Sequence, residues 1–133
     1  MTESRTIRVL VCDDAESMLV ALRAVLELAP GMEVVGEARN GEEAVEQARR
    51  LEPDVVLLDL TMPGMDGLEA LPQLRRAAPR ARVVVLSGHE GRPIEEAVRL
   101  GADSSLVKGA EPDAIVAAVA MAADGAAPES PPR

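Results

Sequence analysis

The chain has 133 residues, 47% hydrophobic and 28% charged, which is enough for one domain with a real core. Its net charge of −9 argues against nucleic-acid binding by this chain itself and fits metal cations or basic partners. Phe, Tyr and Trp are absent, so the core must be aliphatic, and the single cysteine, Cys12, excludes an internal disulfide and fits a reduced, cytoplasmic setting.

No apolar run reaches transmembrane length, and residues 1–8 do not read as a signal peptide. Ile7 to Cys12 reads as a first strand that ends at Asp13-Asp14. A helix follows from Ala15 to Leu28, with Met18, Leu22, Val25 and Ala29 on its inner face, and Pro30-Gly31 ends it. Met32 to Gly36 is a second strand. Asn40-Gly41 turns the chain into a helix over Glu42 to Leu51, with Ala44, Val45 and Ala48 inward. Val55-Val56-Leu57-Leu58 is a short strand buried on both faces, and it runs straight into Asp59. The loop beyond it carries the turn signals Pro63-Gly64 and Asp66-Gly67. Leu68 to Ala77 is a third helix that Pro72, placed near its first turn, should weaken. Val83 to Leu86 is a fourth strand ending at Ser87-Gly88, and Pro93 to Leu100 a short helix. Ser104 to Val107 is a fifth strand ending at Lys108, and Pro112 opens a last helix reaching about Ala123. Residues 1–125 are expected to form the domain and residues 126–133, rich in Pro and Ala, a flexible tail or the start of a linker.

Strands and helices alternate five times, the pattern of a parallel sheet with helices on both faces. In such sheets ligands sit outside the carboxyl ends of the strands. Asp13, Asp14, Asp59, Ser87 and Lys108 all fall at such ends. Singly each has a plain explanation: a helix cap for Asp13-Asp14, a turn for Asp59, a solvated surface for Lys108. Together they are a parts list. Three carboxylates repel one another unless a divalent cation relieves them, and oxygen-only donors suit Mg²⁺. A lysine and a hydroxyl supply a charge and a hydrogen bond to phosphoryl oxygens, and a carboxylate can attack phosphorus to give an aspartyl-phosphate.

With these residues in place, the chain resembles the receiver domain of a two-component response regulator over roughly residues 5–125. The resemblance is carried by Val11-Cys12-Asp13-Asp14, by Asp59-Leu60-Thr61-Met62-Pro63-Gly64-Met65-Asp66-Gly67, by Ser87-Gly88 and by Lys108. It implies a doubly wound α/β fold with the flavodoxin-like strand order 2-1-3-4-5. It implies that Asp59 is the phospho-acceptor, and that Asp14, Asp59 and the Thr61 backbone carbonyl bind Mg²⁺ with Asp13 acting through water. Lys108 and Ser87 would hold the phosphoryl oxygens. The phosphoryl donor would be a sensor histidine kinase or a small phosphodonor. The chain would not be an enzyme beyond its own phosphorylation and dephosphorylation, and its output would be control of transcription through a domain absent from this chain. The stretches Val34 to Ala38, Asn40 to Ala44 and Leu106 to Gly109 are similar to the NarL/LuxR-type subgroup.

The sequence departs from the family at Ser105, three residues before the lysine, where an aromatic or histidine ring is usual; a ring-flip readout is therefore absent. His89 reads either as an exposed loop residue or as a gate on water reaching the phosphoryl group. Two other functions compete: a receiver-like interaction scaffold that works without phosphorylation, and an aspartyl-phosphate-forming hydrolase of the haloacid dehalogenase type. The latter wants an acid two residues after its nucleophile, where this chain has Thr61. The last helix holds ten apolar residues in a row, Ala114 to Ala123, so a homodimer or partner contact is expected across the first and last helices. Ile115, Val119 and Ala122 would face the core, leaving Val116, Ala120 and Met121 outward, beside Leu19 and Val20 of the first helix.

Overall fold

A computed structural model describes residues 6–88 and 92–125. Its five strands are β1 (Ile7–Cys12), β2 (Met32–Ala38), β3 (Val55–Asp59), β4 (Arg82–Ser87) and β5 (Ser104–Val107). The helices between and after them are α1 (Glu16–Leu28), α2 (Gly41–Leu51), α3 (Gly67–Ala77), α4 (Arg92–Arg99) and α5 (Pro112–Ala123). Every strand pairing is parallel and the order is β2-β1-β3-β4-β5, as the sequence implied. The expected tail, residues 126–133, and His89 lie outside the described residues.

Strand alternation divides the core into two layers. Val9, Val11, Val55, Leu57, Val84 and Leu86 pack under α1 and α5. Leu10, Cys12, Val56, Leu58, Val83 and Val85 point the other way, toward α2 and α3. All five residues of β3 are buried, which explains why its apolar residues run without a break. An aliphatic core of this kind is tightly dependent on volume: truncating Leu57 to Ala would cost about 2–5 kcal/mol.

Three local expectations are corrected. In α1 the buried stripe is Leu19, Leu22 and Leu26, while Met18 and Val25 are only half-buried; Leu19 is sealed in the core and does not look outward. Both sets have helical spacing, and in a helix this rich in apolar residues the choice is made by how it lies on the sheet. Second, α3 starts at Gly67, so Pro72 is its sixth residue, inside the helix. A capping box secures the start of this helix: Asp66 accepts from the Glu69 N–H at 2.9 Å, and Glu69 accepts from the Asp66 N–H at 3.1 Å. Third, Asn40-Gly41 is a helix start: the Asn40 side chain caps α2 by accepting from the Glu43 N–H at 2.8 Å. In α5 the core-facing residues are Ile115, Val119 and Ala122, as expected.

Candidate functional site

Backbone hydrogen bonds between loops draw the carboxyl ends of the strands into one rim. The Asp13 N–H donates to the Ala38 carbonyl at 2.9 Å, joining β1 to β2. The Leu60 N–H donates to Leu86 O at 3.0 Å, joining β3 to β4, and the Lys108 N–H donates to Ser87 O at 2.8 Å, joining β4 to β5. The loop after Asp59 returns tightly: the Gly67 N–H donates to Leu60 O at 3.1 Å, and a Cβ on Gly67 would lie 2.4 Å from the Asp59 carbonyl. Only glycine permits that approach.

Asp13, Asp14 and Asp59 each bring one carboxylate oxygen within 4.8 Å of the others. Asp13 and Asp59 are buried and Asp14 is exposed at the mouth. Lys108 reaches across the sheet: its Nζ donates to Asp59 Oδ2 at 3.0 Å and lies 3.3 Å from Asp13 Oδ2. Asp59 Oδ1 accepts from the Thr61 N–H at 3.0 Å, and Asp13 Oδ1 accepts from the Ala15 N–H at 2.9 Å. Asp13 Oδ2 is sealed from solvent and has no hydrogen bond among the described residues; its approach to Lys108 is an ion pair without hydrogen-bond geometry. Ser87 is buried at the end of β4, on the same rim.

The electrostatics follow from crowding. Burial pushes the Asp59 carboxyl above its ordinary range, and the neighbouring Asp13 charge adds to this; the Thr61 N–H and Lys108 pull only part of the way back. Burial lowers the Lys108 ammonium, but its hydrogen bond to Asp59 and the two carboxylate charges outweigh that and hold it above an ordinary lysine. Burial, then the charges of Asp13 and Asp59, push the Cys12 thiol far up, so it stays protonated and inert. An orphaned buried carboxylate oxygen beside two further acids, with one lysine against them, is a donor set a hard divalent cation fits.

The site residues read from the sequence therefore share one end of the sheet. What the sequence did not reveal is the role of Gly67 in seating the loop, because a single glycine carries no mark of which backbone it must let pass. Ser105 sits on β5 opposite Val85 and is half-buried. Among the described residues no helix is long and apolar enough to cross a membrane.

The family described as "Response regulator receiver domain" matches residues 9–120. The nitrate/nitrite response regulator protein NarL of Escherichia coli (strain K12) is 40% identical over 127 residues, covering 94% of this chain and 58% of NarL. The chain thus spans little more than half the length of that relative. The chemotaxis protein CheY of Thermotoga maritima is 41% identical over 114 residues, covering 84% of this chain and 93% of CheY. The signal receiver domain of the NarL response regulator from Mycobacterium tuberculosis superposes with a TM-score of 0.87 at 36% identity, covering 91% of this chain and 98% of that one. These matches displace the hydrolase reading and agree with the NarL/LuxR-type resemblance. The chain belongs to the response regulator receiver domain family of two-component systems.

Proposed function

We propose that Asp59 accepts a phosphoryl group from a sensor histidine kinase in a Mg²⁺-dependent reaction, and that its phosphorylation state alters an interaction surface. The observation that carries this is the contact of Lys108 Nζ with Asp59 at 3.0 Å inside a cluster of three acids. Asp14, Asp59 and the Thr61 carbonyl would hold the cation, with Asp13 acting through water. Bound there, Mg²⁺ would neutralise charge on the phosphoryl oxygens. A carboxylate oxygen of Asp59 attacks phosphorus as the phosphorus–nitrogen bond to the kinase histidine breaks. Lys108, freed from its pair with Asp59, takes a phosphoryl oxygen, and the Ser87 hydroxyl donates to another. By likeness to NarL, of which this chain covers 58%, the output is transcriptional control through an output domain not present in this chain. The setting is cytoplasmic, as the buried, protonated Cys12 allows.

Acetyl phosphate with Mg²⁺ should give a phosphoryl adduct on the intact protein by mass. The adduct should vanish in Asp59→Asn and in EDTA; an adduct surviving either overturns the assignment. The alternative, a scaffold indifferent to phosphorylation, has the small Ser105 in its favour. It predicts that beryllium fluoride shifts amide resonances only around Asp59, whereas signalling requires shifts that reach α4, β5 or α5.

We also propose a homodimer through α1 and α5. These helices share one face of the sheet, and Val20 and Met121 are 59% and 46% exposed on it. Val116 and Ala120 are half-buried beside Met121. Val20→Glu and Met121→Glu should each shift the sedimenting species toward monomer. A wild type that stays monomeric at high concentration, phosphorylated or not, excludes this face.

A further inference from the structure

The connection from β2 to α2 holds none of the acids, yet it touches both of the loops that do. At one end the Ala38 carbonyl accepts from the Asp13 N–H at 2.9 Å. At the other the Gly41 N–H donates to the Met65 carbonyl at 2.9 Å. Between them Asn40 caps α2, so the four residues are fixed to a helix end as well as to a strand. Gly41 is buried, and its contact with the loop after Asp59 is very close. A Cβ there would lie 2.4 Å from Met65 O, 2.8 Å from Met65 Cγ and 2.9 Å from Met65 Cβ. The first of these is backbone, so no side-chain rotation relieves it.

From this geometry we propose that residues 38–41 are a strut that sets the spacing between the Asp13-Asp14 loop and the Asp59–Met65 loop, with Gly41 as a positioning residue for cation binding. A Cβ at Gly41 must push the Asp59–Met65 loop outward, because β2 and the rest of α2 are anchored in the core through Ala38, Ala44 and Ala48. That displacement is passed along the loop to Thr61 and Asp59 while Asp13 stays where Ala38 holds it. Mg²⁺ bound by few protein oxygens demands near-octahedral geometry and tolerates little displacement of its ligands. The inference rests on the Mg²⁺ reading above.

The test is Mg²⁺ titration followed by amide chemical shifts, which suits a chain without aromatic fluorophores. Gly41→Ala should weaken Mg²⁺ binding about tenfold at a temperature where the variant is folded, in line with the loss from disturbed ligand support. Asn40→Ala, which only frays the start of α2, should weaken it a few-fold and serves if Gly41→Ala fails to fold. Leu26→Ala, buried on the opposite face of the sheet, should lower the melting temperature and leave the Mg²⁺ affinity unchanged. That separation is what a merely structural role for Gly41 would not produce. A wild type that binds Mg²⁺ while both Asn40→Ala and folded Gly41→Ala bind it equally well overturns the strut alone. A wild type that does not bind Mg²⁺ at all overturns the function proposed above and the strut with it.

Discussion

The two ends of the sheet treat their carboxylates in opposite ways. At the amino ends of the strands, Asp54 accepts from the Arg8 N–H at 2.8 Å, just ahead of β3. Asp103, just ahead of β5, accepts from the Val83 N–H at 2.8 Å and from Arg75 at 3.3 Å, with Arg82 at 3.6 Å. Each is matched by donors and staples neighbouring strands together. At the carboxyl ends, Asp13 and Asp59 are more deeply buried and crowd against each other; Asp59 has a donor on each oxygen, from Thr61 and Lys108, but one oxygen of Asp13 has no hydrogen bond among the described residues. Acids of the same type, on the same sheet, thus serve the fold at one end and oppose it at the other. A buried charge left short of partners is destabilising, so the second set has to be explained by what binds there.

Removing charge should therefore have opposite signs at the two ends. Asp59→Asn is expected to raise the stability of the Mg²⁺-free protein by about 1–3 kcal/mol while abolishing phosphorylation. Asp103→Ala is expected to lower stability by about 1–3 kcal/mol, since it strands the Val83 amide, and to leave Mg²⁺ affinity unchanged. Urea unfolding of the pair decides it, and a loss of stability in both variants breaks the comparison.

The advantage of Asp59→Asn should also depend on pH. The Asp59 carboxyl keeps its proton to higher pH in the folded state than in the unfolded one. Its contribution to stability is fully present below the ordinary carboxylate pKa of about 4 and is lost as pH rises through the higher folded value. The gap between variant and wild type should be widest near neutrality and close under acid. Melting temperatures across that range would show it, and a gap that is constant with pH counts against buried charge as the cause.

The smallest expected effect lies at the quiet end. Glu52, the C-cap of α2, has φ 51°, the only positive φ among the described residues other than glycines. Glu52→Gly should stabilise by about 0.5–1 kcal/mol with no effect at the rim.

The sequence displayed one end of the sheet far better than the other. Asp13, Asp14, Asp59, Ser87 and Lys108 were legible because each follows an apolar run, so their common rim follows from strand alternation alone. Asp54 and Asp103 instead precede their strands, and nothing in their neighbours tells a staple from a solvated turn; the partners lie 46 and 20 residues away in the chain. The inner face of α1 is ambiguous in the sequence for a related reason. Leu19, Leu22 and Leu26 compete with Met18, Val25 and Ala29 at equivalent spacings, and only docking on the sheet selects between them. The clash that reserves position 41 for glycine involves a backbone carbonyl 24 residues away, which no local pattern encodes.

The strand order has a kinetic consequence. β1 pairs with both β2 and β3, so the first 59 residues contain a complete three-stranded half-sheet with α1 and α2. The β1–β2 pairing closes a shorter loop than β1–β3, so loop-closure entropy favours it first. During synthesis this half can begin to assemble before β4 and β5 leave the ribosome. Asp13, Asp14 and Asp59 all belong to it, whereas Lys108 arrives with the final strand. In such a half-sheet the acid cluster would stand without Lys108, and free divalent ions would have an opportunity to chaperone that step.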